Sequence, residues 1–326
     1  MTARSGLSVR ALITAMSISL LSVPAIAQST EKVRVATTAL GLWDTSQPTF
    51  CKERGEFEKA GLDVEVISTR GGSENVQAVT AGGMDIGYSP GTNAVLGAYV
   101  GSAKIKIISA EFMGQNDTFW YVLADSPIKT IDDIRGKSVG FPRPGGAGEA
   151  ILLALRSERN LDFKPVATGS SSAAFTLAMT KQIDVAQSVP PAMLNEVEKG
   201  TIRVLFSGDA AQTLRNLTGR VIIARDDFLK TRRAVAKKFM EVLDRCIDWA
   251  YANKQESAKL FAALNKIDVG VAAKTMEFYK RETLAFGPIK GLNEVIQQAV
   301  AGKFLDKPLT ESQIKDLIDI VYVPGK

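Results

Sequence analysis

The sequence has no histidine among its 326 residues. Ser-His-Asp and Cys-His catalysis are therefore excluded, and so are the His-based sets that hold most zinc ions. Glu, Asp and Lys remain as proton carriers, so enzymatic chemistry is narrowed but not removed. No cofactor and no metal site is expected. Cysteine is nearly absent: Cys51 and Cys246 can pair in an oxidising compartment, and the plainer reading is two small buried apolar residues. No Gly-Lys-Ser/Thr and no G-x-G-x-x-G sequence occurs, which argues against a nucleotide site. Charge of one sign is also scarce. A net +5 is spread along the chain with no Lys/Arg patch interleaved with aromatics, so nucleic acid is not an expected partner. No apolar run approaches the roughly 20 residues that span a bilayer.

What is present begins with a leader. Arg4 and Arg10 precede a short apolar run at residues 11–21, and Val23-Pro24-Ala25-Ile26-Ala27 ends in small-x-small. This pattern predicts a signal peptide over residues 1–27, cleaved after Ala27, and a chain exported to the periplasm. About 299 residues of the 326 would remain, carrying about +3, enough for two lobes with two cores.

Two segments read as one motif written twice. Residues 72–95 and 171–194 each contain a polar loop, a helix, a polar turn, then Asp before a short apolar strand and a second polar loop. Ser73 matches Ser172, Asp85 matches Asp184 and Ser89 matches Ser188, each pair 99 positions apart. A repeat on this scale predicts two similar lobes and a cleft between them.

Strand and helix signals alternate along both halves, which predicts an α/β fold. Residues 32–36, 63–67, 85–88 and 104–109 read as strands, with helices opening near Pro48, Ser73 and Ser89. One helical region is expected from Pro48 to Gly61. The strand at 120–124 crosses to the second half, and the strand at 220–224 returns. From Asp226 the chain is helical, and these helices are expected to pack on the first lobe. The predicted division is 28–120 with 222–326 for lobe one, and 121–221 for lobe two.

Open α/β sheets bind ligands beyond the carboxyl ends of their strands. The candidate ligand residues are therefore Gly41, Trp43, Asp44, Gly72, Ser73, Ser89, Thr92 and Asn93 in the first half. In the second they are Arg143, Gly145, Gly146, Ser171, Ser172 and Gln187. Four of these loops open helices, whose free N–H groups and dipole favour an anion. The same Ser and Thr residues would also serve as ordinary helix caps. Arg143, between two prolines, could pair with a carboxylate or sulfonate, or be a solvated surface charge. Trp43, Tyr88, Phe112 and Trp120 fall near strand ends and would stack on a ligand or fill the core.

One further pattern stands out. Gly55-Glu56-Phe57-Glu58-Lys59-Ala60-Gly61-Leu62-Asp63-Val64 reads G-x-F-x-x-x-G-L-D-V, and Gly71-Gly72-Ser73, residues 81–87 and residues 131–140 extend it. The chain here resembles the sulfonate/taurine/nitrate and thiamine-precursor (NMT1/THI5-like) periplasmic binding proteins of ABC importers, over about residues 31–252. The resemblance implies a two-lobed type II periplasmic binding fold, each lobe a mixed, mostly parallel sheet flanked by helices. It implies a small-molecule ligand in the cleft, an ABC permease in the inner membrane as partner, and a monomer. A small organic anion is the expected ligand. A neutral or cationic one such as a pyrimidine, served by Asp44 and Glu111, is the alternative, as is a sensory role. Related thiamine-pyrimidine synthases use a His that this chain lacks.

Overall fold

The computed structural model describes residues 1–2, 30–142 and 146–325. The expected leader and its cleavage site, and Arg143 and Gly145, lie outside the described residues.

Among the described residues ten strands form one five-stranded sheet in the first half and, in the second, a three-stranded and a two-stranded sheet that a single bridge joins into a series of the same order. In the first half β1 (Glu31–Thr37), β2 (Leu62–Ser68), β3 (Ile86–Gly91) and β4 (Ile105–Met113) alternate with α1 (Gln47–Glu53), α2 (Glu56–Lys59), α3 (Gly72–Thr80) and α4 (Thr92–Val100). The chain then leaves through β5 (Phe119–Leu123). The second half comprises β6 (Ser138–Phe141), α5 (Ala147–Arg159), β7 (Lys164–Ala167), α6 (Ser171–Met179), β8 (Ala186–Ser188), α7 (Leu194–Glu198) and β9 (Ile202–Ser207). The return strand β10 (Thr218–Arg225) leads into α8 (Asp226–Ala252), α9 (Lys254–Asn265), α10 (Val269–Phe278), α11 (Leu292–Ala301) and α12 (Glu311–Leu317).

The first sheet runs β2-β1-β3-β10-β4, with β1 parallel to β2 and β3, and β10 antiparallel to β3 and β4. In the second half β7 pairs with β6 in parallel, a bridge from Val139 to Val185 joins β6 to the approach of β8, and β8-β5-β9 completes the series. Its order, β7-β6-β8-β5-β9, repeats the first with β5 in the place of β10. Each half thus receives one strand from the chain's passage between them. This is the two-lobed, mixed α/β periplasmic binding fold.

The repeated Asp has a structural task. Asp85 Oδ2 accepts from Arg34 N at 2.9 Å, and Asp85 N donates to Arg34 O at 2.9 Å. Asp184 does the same at the start of β6: Oδ2 accepts from Ser138 N at 2.8 Å, and its own N donates to Ser138 O at 3.2 Å. Each carboxylate clips the parallel strand that follows it to the strand that opens its half. Arg34 and Ser138 hydrogen bonds hold both carboxyls below the usual range against the opposing effect of burial.

Strand residues alternate between cores, as a period of two requires. In β10, Ile222 and Ala224 join the cluster beneath α1, α2, α8 and α9, whereas Val221 and Ile223 join the one beneath α3, α4, α11 and α12. In β5, Trp120 and Val122 face α5, and Phe119 and Tyr121 face α6. Burying each of the larger aliphatic side chains among these contributes about 1.5–3 kcal/mol.

Two sequence expectations are corrected. The helix expected between Pro48 and Gly61 is two short helices, because Gly55 adopts φ +71°, a left-handed conformation that ends α1. Cys51 and Cys246 are joined as a disulfide, tying α1 to α8; the plainer reading of two unpaired core residues does not hold. They are buried, as that reading required, and α8 sets their Cα atoms 6.0 Å apart, within bonding reach. Most of the C-terminal helices pack on the first sheet, while α10 also reaches the second: Val271 lies in the cluster of Phe119 and Tyr121.

Candidate functional site

The loops at the carboxyl ends of the strands supply the candidate residues. Gly71 precedes α3, and a Cβ on Gly72 would stand 3.2 Å from Gly91 N, so a side chain there would press the α3 and α4 entry loops a few tenths of an ångström apart. Ser73 is exposed in the first turn of α3. In the second half Gly146 caps α5, and Ser171 and Ser172 occupy the first turn of α6. The cap of α6 is Ser170, whose Oγ accepts from Ala173 N at 3.1 Å and lies 3.0 Å from Ser172 Oγ. Asn93 is half-buried in the first turn of α4. Gln187 is buried in β8 opposite Trp120, its Nε2 donating to Ser188 O at 3.3 Å.

Three candidates are spent on the first lobe itself. Trp43 is fully buried, edge-on to Phe50, Phe261 and Tyr251, and its Nε1 donates to Tyr251 Oη at 3.0 Å; it is core. Thr92 Oγ1 donates to Thr218 O at 2.9 Å, fastening α4 to β10. Asp44 is fully buried in an ion pair with Arg220, Nη1 to Oδ2 at 2.6 Å. Tyr88, Phe112 and Trp120 are buried too.

Asp44 belongs to a cluster at the junction of the halves. Arg220, on the return strand, bonds Asp44 through one nitrogen and Asp117, in the outgoing segment, through the other. Its guanidinium lies 4.2 Å from the centre of the Phe112 ring, on whose face it stacks. Ser89, at φ +66°, aims its hydroxyl into the cluster: Oγ donates to Glu111 Oε2 at 2.9 Å and lies 3.4 Å from Asp44 Oδ2. Tyr88 Oη donates to the other Glu111 oxygen at 3.3 Å.

Three buried carboxylates face one guanidinium, and their protonation follows. Burial, with the Asp44 charge beside it, pushes Glu111 up to about 8, against the pull of Arg220, so the carboxyl holds its proton at neutral pH. Burial pushes Asp117 up to about 6, again opposed by Arg220. For Arg220, burial disfavours the charge, but Asp117, Asp44 and Glu111 outweigh it and raise its pKa. Asp44 Oδ1, Asp117 Oδ1 and Tyr279 Oη are buried without a hydrogen-bond partner.

Little in the sequence marks Arg220 and Asp117. Arg220 stood only as the first residue of an apolar strand, and Glu111 was placed beyond a strand that in fact continues to Met113. The one available signal was a charge set directly against Val221-Ile222-Ile223 and another against Phe112.

Beside Gly41 an open cavity of about 610 Å³ lies between the loop after β1, the loop after β8 and the turn from α9 into α10. Gly41 is the candidate that reaches it, and its φ of +83° requires glycine. Among the described residues, no helix is long and apolar enough to cross a membrane, and no group of three or more His, Cys, Asp or Glu is arranged to hold a metal ion.

Similar proteins agree with this arrangement. A protein of Brucella abortus named as a binding protein is 29% identical over 260 residues, 78% of each chain. The periplasmic aliphatic sulphonate binding protein SsuA of Escherichia coli superposes with a TM-score of 0.72 at 18% identity, covering 91% of this chain and 94% of that one. The alkanesulfonate-binding protein SsuA of Xanthomonas axonopodis, solved bound to MOPS, gives 0.68 at 16%, covering 89% and 98%. All three are named as binding proteins. The family model described as NMT1/THI5 like matches residues 49–257, a span that holds nine of the ten strands, and the chain belongs to that family.

Proposed function

We propose that the chain is a periplasmic solute-binding protein that captures a small organic anion between its lobes and delivers it to an ABC permease. The observation that supports this most is the placing of four helix N-termini. Those of α3, α4, α5 and α6 each follow the carboxyl end of a strand, two in each half, with Gly or Ser at their caps. Free N–H groups and helix dipoles there stabilise negative charge. Ligand held by one lobe completes its hydrogen bonds on the other, so binding favours the closed form. The names of the two SsuA structures point to sulfonates, and carboxylates offer the same charge.

Arg143, in the segment between β6 and α5, supplies the counter-charge in this reading. Arg143→Ala is expected to weaken binding of an anionic ligand about tenfold or more by calorimetry, the scale of a lost charge-assisted pair. Unchanged affinity removes Arg143 from the site.

One observation favours a second reading. The buried oxygens Asp44 Oδ1 and Asp117 Oδ1 have no donor, and a neutral ligand carrying N–H groups, such as a pyrimidine, would provide one. A thermal-shift screen of sulfonates, carboxylates, nitrate, pyrimidines and urea-like compounds separates the two, since only a bound ligand raises the melting temperature. Stabilisation by pyrimidines alone replaces the anion with the neutral ligand.

A further inference from the structure

The strand clip is built differently in the two halves. Asp184 is held by Ser138, whose Oγ donates to Asp184 Oδ2 at 2.7 Å and accepts from Asp184 N at 2.8 Å. Asp85 is held by two arginines. Arg34 Nη2 stands 2.8 Å from Asp85 Oδ1, and Arg225 Nη2 stands 3.4 Å from the same oxygen. Both guanidiniums also donate to Gly82 O, at 3.2 Å and 2.9 Å. Strand β10 sets Ile223 opposite Gly87, and β5 sets Tyr121 opposite Ala186, 99 positions on, so Leu123 stands where Arg225 stands. One half therefore makes the clip with a hydroxyl and a leucine. The two guanidiniums of the other half exceed what a clip needs.

These arginines line an open pocket of about 340 Å³ at the end of the first sheet where β3 begins and β10 finishes, away from the loops at the carboxyl ends of the parallel strands. Lys32 and Arg232 line it too, and the carboxylates on the lining are Asp85 and Asp227. Asp85 is taken up by the two arginines, and Asp227 is 76% exposed, where an ion pair contributes little. Glu31 and Glu65 pair with Arg232 and Lys32 from outside the lining. Helix α8 leaves helical geometry at Arg232 (φ −133°), whose Nη2 donates to Lys32 O at 2.6 Å. Among the described residues, Arg34 Nη1 and Arg232 Nη1 and Nε make no hydrogen bond and remain free to donate. We propose that this pocket binds a phosphate group, as the free ion or as a monoester. Four cations around two carboxylates leave a surplus of positive charge in a concave site, and guanidinium N–H groups pair with phosphate oxygens two at a time. The site is separate from the cleft and does not depend on what the cleft holds.

Calorimetry with inorganic phosphate and with glycerol 3-phosphate, at an ionic strength held constant with chloride, tests this. The titrations are made on Arg143→Ala, so that the counter-charge assigned to the cleft takes no part. Phosphate is expected to bind this protein. Adding Arg34→Ser and Arg225→Leu, which gives the first half the clip residues of the second, is expected to weaken it at least about tenfold, the scale of lost charge-assisted pairs. Adding Arg232→Gln instead leaves the clip untouched, and is expected to weaken phosphate at least about threefold. This variant decides the matter should the other fail to fold. Tighter binding of glycerol 3-phosphate than of phosphate supports the monoester, and equal or weaker binding supports the free ion. Absence of binding by both compounds overturns the proposal. Binding that the pocket substitutions leave unchanged overturns it as well, since the anion then sits elsewhere.

Discussion

Glu111 is a carboxyl group enclosed by Asp44, Ser89, Tyr88 and Arg220, in a strand that offers it no solvent. Its pKa is raised to about 8 from 4.5, so the folded chain keeps a proton that the unfolded chain loses. The stabilisation from this group is complete below about pH 4.5 and falls as pH rises to about 8. Glu111→Gln keeps an acceptor for Ser89 and removes the titration. The variant is expected to match the wild type in melting temperature near pH 5 and exceed it near pH 8. A difference between the two that stays constant from pH 5 to 8 counts against a proton on Glu111. At this scale the sequence was a partial guide. Ser, Gly and Thr loops could be placed because caps and turns follow local chemistry. Asp44 and Trp43 could not be told from ligand contacts, because their partners Arg220, Tyr251 and Phe261 come from about 176 to 218 residues away in the chain, where no local rule applies.

Among the elements, α1 and α2 are short, at seven and four residues. Helices so short do not persist alone, and tertiary contacts must hold them. The Cys51–Cys246 bond supplies one such contact, from α1 to the last third of α8 across a sequence separation of 195. Closing so long a loop restricts the unfolded chain, and a native disulfide typically contributes about 2–4 kcal/mol. Cys51→Ala with Cys246→Ala is expected to lower the melting temperature by several degrees in the absence of reductant. Equal melting temperatures, alongside a thiol assay that finds two free thiols in the wild type, contradict the bond. The strands were legible because apolar residues alternate within them. The pairing of the cysteines was not, because it depends on how α8 crosses the first lobe.

Across the molecule, the two halves share more than their connecting segments. Ile267 and Phe278 pack against the core of the first half and also against that of the second. Asn116 Nδ2, in the outgoing segment, donates to Phe278 O at 2.7 Å. Such shared packing makes the halves melt together. Calorimetry is expected to show one transition for the wild type and two for Phe278→Ser, with the second half melting first because its sheet is shorter and its cores smaller. One transition in both proteins assigns the coupling to other contacts. The two-lobed plan was readable from the 99-residue repeat, and the repeated Asp turned out to be a strand clip. The bridging position of α10 was not readable, since its buried residues Val271, Ala272, Thr275 and Met276 form one stripe and periodicity alone does not say which core that stripe meets.

The exchange of strands between the sheets sets an order on biosynthesis. The second sheet has all five of its strands once residue 207 has emerged, whereas the first stays open between β3 and β4 until residues 218–225 arrive. The half encoded first is therefore the half completed last. A chain stopped short of β10 would carry a finished second lobe and a first lobe whose central strand edges are left bare to other chains.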